Sequence, residues 1–358
     1  MSSVEPVGPA GPAVPIEGPD VGATAVPLAR VLRGDLVESV HAGHLVVLAP
    51  DGSLRLALGD PFATFWARSS LKPLQAVGML RQGLDVDDEA LALVCASHNG
   101  EPRHLAVVRR ILADAGLTEA DLDNTPDRPL DADAAWQWRA DGHGPASLTQ
   151  NCSGKHAGML ATCVAAGWPT GGYRDAQHPL QVALRGVVGE LTGEHVTHVT
   201  VDGCGAPLFS TSLVGLARAF GRIAQDDGSD EGAGTGLGDG RPSAAAGPPA
   251  TPERRVARAM STHPWLVAGT GRDATAFMTA LPGLVAKDGA ESVYAAGLPD
   301  GGAVALKIAD GSARPRAVVL AAALAVAGVD PAVVGPVGAT PVLGHGEPVG
   351  AVVATFGG

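Results

Sequence analysis

The stretch LVESVHAGHLVVLAPDGSLRLALGD, residues 36–60, decides the fold class. It holds two apolar, strand-like runs separated by the turn-forming residues PDGS at 50–53, so it predicts two strands joined by a turn. A matching pattern comes late in the chain, in GLVAKDGAESVYAAGLPDGGAVALKIADG at residues 283–311. There the sequence predicts strand, turn and strand, with the hairpin turn in PDGG at 299–302.

Helical patterns fill the sequence around these two segments. PFATFWARSSLKPLQAVGMLRQG, residues 61–83, predicts a turn-like entry into an apolar helix that ends near Gly83. Another helix is expected over Ala317 to Val329. We therefore predict an α/β (α+β) fold, in which a central antiparallel sheet made from both ends of the chain is covered by helices.

Composition divides the chain into one domain and two segments of simpler sequence. Residues 1–27 are rich in Pro, Gly and Ala without periodicity, so we expect a disordered tail. Residues 226–252 are of low complexity and predict a flexible surface insertion. The remainder of 28–358 is expected to form a single domain.

Bulk properties exclude several classes of protein. The net charge of −12 and the pI near 5.3 argue against nucleic acid or an anionic membrane as a partner. The longest apolar run, Ala317 to Val329, has 13 residues, whereas a spanning helix needs about 20. No secretory signal is visible, and four cysteines in 358 residues suggest thiols or metal ligands rather than a disulfide framework. We expect a cytoplasmic protein.

Lysine is scarce in this sequence. Only four of the 25 basic residues are lysines, and they are Lys72, Lys155, Lys287 and Lys307. A desolvated lysine can give up its proton in a protein, whereas arginine cannot. Three of the four lie in the polar motifs SSLK, CSGKH and AKDG, a concentration that favours a lysine-dependent active site.

The first of these motifs places Ser69 three residues before Lys72, at the start of the predicted helix. We expect Ser69 or Ser70 at the N-cap and Lys72 in the first turn, where Pro73 is tolerated. A neutral lysine could then take the proton of the serine. The alternative is a capping serine beside a surface lysine, and the motif alone favours that alternative.

Two further motifs carry a serine and a lysine. CASHNGEP, residues 95–102, puts Ser97 where an apolar run meets a loop; its alternative interpretation is a simple turn. AKDGAES puts Lys287 at the start of a predicted edge strand, and Gly289 is expected to leave room for a ligand. Here the alternative is a turn with a solvated lysine. Lys307 is expected to face outward on the next strand.

The cysteine motifs suggest a metal site. In NCSGKHAGML, Cys152 and His156 are four residues apart, which suits one metal on a helix face. VDGCGAP adds Asp202 and Cys204 in a Gly-rich turn. Buried structural thiols are the alternative for these cysteines.

Taken in order, the motifs RSSLKPLQA, CASHNGEP, NCSGKHAGML, VDGCGAPLF, HPWLVAGTGR and AKDGAESVYAAGL resemble the asparaginase II family of the Rhizobium etli type, which contains zinc. The resemblance covers residues 28–358 apart from the insertion. It implies a fold like that of serine β-lactamases and glutaminases, and a homodimer acting on a small-molecule substrate, L-asparagine.

The resemblance also implies roles for individual residues. It pairs Ser69 with Lys72 and Ser97 with Lys287 as catalytic residues, with Ser69 as the nucleophile. It assigns a zinc ion to Cys152, Lys155 and Cys204, and it places Asp202 beside the ion. His156 would then orient substrate or a zinc-bound water. Apart from the resemblance, the position of Arg68 next to Ser69 suggests that it holds a substrate carboxylate, and a surface arginine is the alternative.

Two rival hypotheses remain open from the sequence. One is a serine hydrolase of the glutaminase or penicillin-binding kind that uses the same serine on another amide. The other is a zinc-binding structural protein whose serines only cap helices. The placement of the lysines argues against the second.

Overall fold

The computed structural model describes residues 20–225 and 250–357. Within these ranges the strands are β1 Val26–Arg33, β2 Leu36–Leu48, β3 Leu54–Leu58, β4 Phe65–Trp66, β5 Val199–Val201, β6 Pro207–Thr211, β7 Val285–Gly289, β8 Val293–Gly297, β9 Ala303–Ile308, β10 Thr340–Gly344 and β11 Glu347–Ala354. The α-helices are α1 Lys72–Arg81, α2 Asp88–Val94, α3 Pro102–Asp114, α4 Ala132–Ala140, α5 Ser153–Ala165, α6 Pro179–Thr192, α7 Leu213–Ala224, α8 Pro252–Thr262, α9 Pro264–Val267, α10 Asp273–Ala280, α11 Arg316–Ala327 and α12 Pro331–Gly338.

The main sheet is antiparallel and is built from both ends of the chain, as the sequence predicts. Its strand order is β10-β11-β1-β2-β9-β8-β7, and β3 pairs with the second half of β2. Both predicted turns are present: the Ala49 amide donates to the Ser53 carbonyl at 2.9 Å, and the Leu298 amide donates to the Gly302 carbonyl at 2.8 Å. The mixed α/β class and the antiparallel sheet are therefore confirmed.

The late segment contains three strands, whereas the sequence predicted two. A 3₁₀ turn at Ala290–Ser292 separates β7 from β8, and both Glu291 (φ 57°) and Ser292 (φ 55°) adopt left-handed backbone conformations there. Neither residue type signals such a turn, since this region usually favours glycine. The split makes β7 the edge strand of the sheet.

Helices cover the sheet. α7 packs on β2, β8 and β9, while α11 packs on β2, β9 and β11. Every residue of β8 and β9 is buried, as expected for strands covered on both faces. A Cβ at Gly297 would come within 2.2 Å of the Phe220 carbonyl oxygen, so a glycine is needed where α7 approaches most closely.

The central helices set the position of two loops. At Gly154, on the first turn of α5, a Cβ would lie 2.4 Å from the carbonyl oxygen of Leu93 in α2. This close packing holds the residues just before α5 against the residues just after α2. The CASHNGEP and NCSGKH motifs are thereby brought together.

A small sheet of order β4-β6-β5 brings a third motif to the same place. β4 ends two residues before Arg68, and the turn between β5 and β6 carries Asp202 and Cys204. That turn is closed by the Asp202 amide, which donates to the Ala206 carbonyl at 2.9 Å.

The predicted tail and insertion lie mostly outside the described residues. Val26 and Pro27 already belong to β1, so the sheet begins slightly before the predicted boundary at residue 28. After the insertion, the side chain of Thr251 accepts a hydrogen bond from the Arg254 amide and caps α8. In the described part of the chain, no helix is both long and apolar enough to cross a membrane.

Candidate active site

The predicted serine–lysine segment folds as a 3₁₀ turn that runs directly into a helix. Arg68–Leu71 form the turn, and Lys72 is the first residue of α1 with Pro73 behind it, as expected. Leu71 occupies the N-cap, without a side-chain cap, so the expectation that Ser69 or Ser70 caps α1 is wrong. The turn continues in right-handed geometry at Leu71, which leaves no extended residue for a serine cap.

Lys72 is buried and connects two motifs. Its Nζ donates to the Ala96 carbonyl at 2.5 Å, to Ser97 Oγ at 3.0 Å and to Cys152 Sγ at 3.1 Å. An ammonium group has three protons, so these contacts use all of them. The hydrogen bonds of the described chain therefore pair Lys72 with Ser97, and not with the half-buried Ser69.

Lys287 lies in the middle of β7 and is fully buried. Its Nζ donates to the backbone carbonyl of Asp288 at 2.6 Å and to Asp288 Oδ1 at 2.7 Å. Burial, with the charges of Lys72 and Arg272, lowers the pKa of Lys287 to about 8, against the opposing effect of Asp288. Ser97 and Lys287 are thus not in direct contact in this structure.

Gly289 lets β7 pack against the 3₁₀ turn at Arg68–Leu71, here called the serine turn. A Cβ there would lie 2.9 Å from the Ala67 carbonyl oxygen and 3.0 Å from Ser70 Oγ. Ser70 Oγ also donates to the Lys287 carbonyl at 3.2 Å. On the Cβ side the space at Gly289 is taken by Ala67 and Ser70, so the glycine is needed here for the packing of β7 on this turn.

The sequence reasoning missed a charged cluster beside Lys287. Asp288 Oδ2 accepts from Arg272 Nη2 at 2.8 Å, and Arg316 Nη1 lies 3.3 Å from the same oxygen. Arg316 also makes a bidentate pair with Asp273, at 2.6 and 2.9 Å. No pattern marks these residues in the sequence, since Arg272 follows Gly-Thr-Gly and Asp288 lies between Lys287 and Gly289.

The two predicted cysteine loops meet. Cys152 and Cys204 are buried together with Ala206, and Lys155 Nζ donates to Cys204 Sγ at 3.2 Å. A hydrogen bond with Cys204, together with the charges of Lys72 and Lys155, lowers the pKa of the Cys152 thiol despite its burial. Burial opposes the charged form of Lys155, yet the neighbouring thiols and Asp202 raise its pKa overall.

Arg68 and Asp202 pair with each other at the side of this site. Arg68 Nε donates to Asp202 Oδ1 at 2.7 Å, and Arg68 has a left-handed backbone with φ of 52°. Burial raises the pKa of Asp202, but the charges of Lys155 and Arg68 lower it overall. A strained residue directly before Ser69 fits a functional segment.

A cavity of about 370 Å³ opens next to this ion pair. Arg68, Trp66, His198 and Lys307 are among its lining residues. Lys307 is buried, and its Nζ donates to the carbonyls of Glu291 (2.6 Å) and Ile308 (2.5 Å). The expectation that Lys307 faces outward is therefore wrong, because two backbone carbonyls hold its amine within the protein.

One hydrogen bond, to Tyr173, holds the His156 ring. Its Nδ1 lies 2.8 Å from the hydroxyl of Tyr173, and burial lowers the pKa of the imidazole well below its usual value. Its buried Nε2 has no partner within the described residues.

Comparison with known proteins gives one assignment. A search of the curated proteins finds no match to this chain. The family model described as L-asparaginase II matches residues 29–354, which confirms the resemblance seen in the six motifs. Since the match spans nearly the whole chain, the protein belongs to the L-asparaginase II family.

Proposed function

We propose that the protein is an L-asparagine amidohydrolase that converts L-asparagine and water to L-aspartate and ammonia. The family implies hydrolysis of an amide bond. The observation that carries the proposal is the position of Lys72 Nζ, 3.0 Å from Ser97 Oγ and 3.1 Å from Cys152 Sγ. One buried amine thereby contacts both a serine hydroxyl and a thiol of the proposed zinc site.

Ser69 is the proposed nucleophile, with Lys72 as its base. Neutral Lys72 accepts the hydroxyl proton, and the serine oxygen forms a bond to the side-chain amide carbon. The C–N bond then breaks, and ammonia leaves with the proton that Lys72 passes on through Ser97, which Lys287 is proposed to tune. Water then hydrolyses the ester and restores the serine hydroxyl. Backbone N–H groups at the start of α1 are proposed to stabilise the oxyanion.

Ser97 is the second candidate nucleophile. Its 3.0 Å hydrogen bond to Lys72 is the specific observation in its favour. Ser69 is half-buried beside Arg68, a cavity-lining residue, which favours the first assignment. Arg68 and Asp202 are proposed to bind the polar groups of the substrate, and their mutual ion pair holds both in place.

The chemistry of the donors fits the zinc ion that the family resemblance implies. The family resemblance implies Lys155 as the third ligand beside Cys152 and Cys204, and the Lys155 amine lies 3.2 Å from Cys204 Sγ. Two thiolates are soft donors and an amine nitrogen is a harder one, and zinc accepts both kinds, provided that the amine is deprotonated. Bound zinc would supply a fixed positive charge that orients the substrate. His156, which follows Lys155 on α5, would orient the substrate.

The proposed fold relationship is to the serine β-lactamases and glutaminases. It is supported by the edge strand β7, which carries a Lys-x-Gly sequence next to the Ser-x-x-Lys segment at the start of α1. By the family resemblance we also propose a cytoplasmic homodimer with a small-molecule substrate.

The first experiment measures ammonia release from L-asparagine and L-glutamine, with zinc supplied. Wild type is compared with Ser69→Ala and Ser97→Ala. Activity on asparagine that disappears in Ser69→Ala and is reduced in Ser97→Ala supports the proposal. Activity that survives in Ser69→Ala and disappears in Ser97→Ala transfers the nucleophile to Ser97.

Other results of that experiment favour the rival hypotheses. Preference for glutamine, or acylation by a β-lactam, indicates a serine hydrolase of another kind. If no amide yields ammonia, the amidohydrolase proposal is wrong and a structural zinc-binding role becomes the better hypothesis.

A further inference from the structure

Arg272 lies between the loop that carries Ser97, the partner of Lys72, and the strand β7 that carries Lys287. Its side chain is 17% exposed, and its two terminal nitrogens point to different elements. Nη1 donates to the Ser97 carbonyl at 3.3 Å and to Asn99 Oδ1 at 3.2 Å. Nη2 donates to Asp288 Oδ2 at 2.8 Å, and Asp288 Oδ1 in turn accepts from Lys287 at 2.7 Å.

Backbone hydrogen bonds hold the segment before Arg272 against the loop of residues 95–101, here called the Ser97 loop. Two residues of the loop are held directly, since the Ser97 amide donates to Val267 O at 3.1 Å and the Asn99 amide to Ala268 O at 2.8 Å. At Gly269 (φ +124°) a Cβ would lie 2.5 Å from the Asn99 side chain, so the segment leading to Arg272 packs directly on this loop.

Charge gives Arg272 a second effect. The arginines Arg272 and Arg316 balance the aspartates Asp273 and Asp288, so the cluster is neutral when Lys287 is neutral. Protonation of Lys287 adds an unbalanced buried charge. Other titratable or charged groups that face this region are Lys72 from α1, Cys95 and His98 after α2, His104 from α3, and Tyr294 from β8, over whose ring Arg316 lies.

We propose that Arg272 is a positioning residue that joins the Ser97 loop to Lys287 through Asp288. The inference rests on the proposed amidohydrolase function. A planar guanidinium suits this role, because its separate N–H groups can hold two partners in fixed directions.

Arg316 provides a matched control. It contacts the same oxygen of Asp288 and carries the same charge, but its other partner is Asp273 and not the Ser97 loop. Arg272→Gln and Arg316→Gln therefore each remove one positive charge next to Asp288, whereas only Arg272→Gln removes the hydrogen bonds to the Ser97 loop. Arg272→Lys keeps the charge without the two-way geometry.

The kinetic test measures kcat and KM for asparagine from pH 6 to 10 in all three variants. We expect Arg272→Gln to lower kcat at the high-pH plateau by about tenfold to a hundredfold, since small misplacements of reacting groups have effects of this size. Both glutamine variants should move the midpoint of the pH profile upward. The Asp288 carboxylate then has one positive neighbour fewer, so it stabilises the ammonium form of Lys287 more strongly. Arg316→Gln should keep most of the plateau kcat, and Arg272→Lys should restore the midpoint but not kcat.

A second readout does not depend on activity. Hydrogen exchange at the amides of Ser97 and Asn99 should become faster in Arg272→Gln and stay unchanged in Arg316→Gln. Equal loss of kcat and equal exchange in the two glutamine variants would overturn the positioning role, as would wild-type kcat and pH profile in Arg272→Gln. A wild type without amidase activity refutes the proposed function, while the exchange result still tests the link between Arg272 and the loop.

Discussion

The Nζ of Lys72 donates to the Oγ of Ser97 across 3.0 Å, although 25 residues separate the two in sequence. The contact exists because α1 and α2 pack side by side with Lys72 at the start of one and Ser97 just after the end of the other. An amine in this position can exchange a proton with the hydroxyl once it is neutral.

Replacement of Lys72 tests this relationship directly. We expect Lys72→Met to lower kcat by about two to four orders of magnitude, the usual contribution of a positioned base. Lys72→Arg is the matched control, because it keeps the positive charge but cannot give up a proton. Both variants should show this loss when ammonia release is measured. Their melting temperatures are compared with that of the wild type, so that loss of folding is not mistaken for loss of the base. An active Lys72→Arg variant would argue against a base at this position.

The lowered pKa of Lys287 predicts a pH dependence of activity. Its neutral fraction grows as the pH rises through about 8. If the neutral amine is needed, kcat/KM for asparagine rises between pH 7 and 9, and this rise disappears in Lys287→Met. Asp288→Asn removes the charge that favours the ammonium form, so it should move the midpoint to lower pH; a midpoint that does not move would contradict the assignment to Lys287.

The same group predicts a change of stability with pH. Between pH 8 and 10.5 the unfolded chain carries a proton on Lys287 that the folded chain has lost, so the free energy of unfolding rises with pH across this window. The full increment is on the order of 3 kcal/mol when the pKa falls from 10.5 to about 8, and roughly half of it lies between pH 7.5 and 9.5. Denaturant unfolding at pH 7.5 and 9.5 measures it, and in Lys287→Met this increment should be absent.

Gly289 offers a test of how β7 is docked. Gly289→Ala should push the strand away from the serine turn, with a loss of about 1–3 kcal/mol of stability and a clear fall in kcat. Gly186, exposed in the middle of α6 with open space around it, is the control. Gly186→Ala should be neutral or stabilising by up to about 1 kcal/mol. Equal behaviour of the two variants would show that the contact with Ala67 and Ser70 is unimportant.

Removal of a thiol tests the proposed zinc site. Cys204→Ala should abolish stoichiometric zinc, measured by elemental analysis, and raise KM for asparagine more than it lowers kcat. Cys163→Ala is the control, because that thiol is buried in the hydrophobic core away from Lys155. Full zinc content in Cys204→Ala, or an unchanged KM with a lost kcat, would contradict the proposed role.

Sequence patterns were sufficient where the structure depends on local chemistry. PDGS and PDGG form turns because of their own backbone preferences, and Pro73 marks the first turn of α1 for the same reason. The scarcity of lysine led to Lys72 and Lys287, which the structure buries near one another.

Contacts between distant segments could not be predicted in this way. Lys72 bonds to Ser97 and not to Ser69 because of the packing of two helices, which no spacing encodes. Arg272 and Asp288 are charged residues that the sequence alone would place on a solvated surface. Their burial becomes visible only when β7 is seen beside the segment that ends at Arg272.

The pairing of β2 with β9 and of β1 with β11 has a consequence for synthesis of the protein. His44 is aligned with Lys307, so β2 must wait for about 260 further residues to leave the ribosome before its partner exists. Until then one edge of an apolar strand is open to other nascent chains. The edge strand bearing Lys287 reaches β2 only through β8 and β9. Catalytic competence is therefore expected to arise late in synthesis, with a slow folding phase.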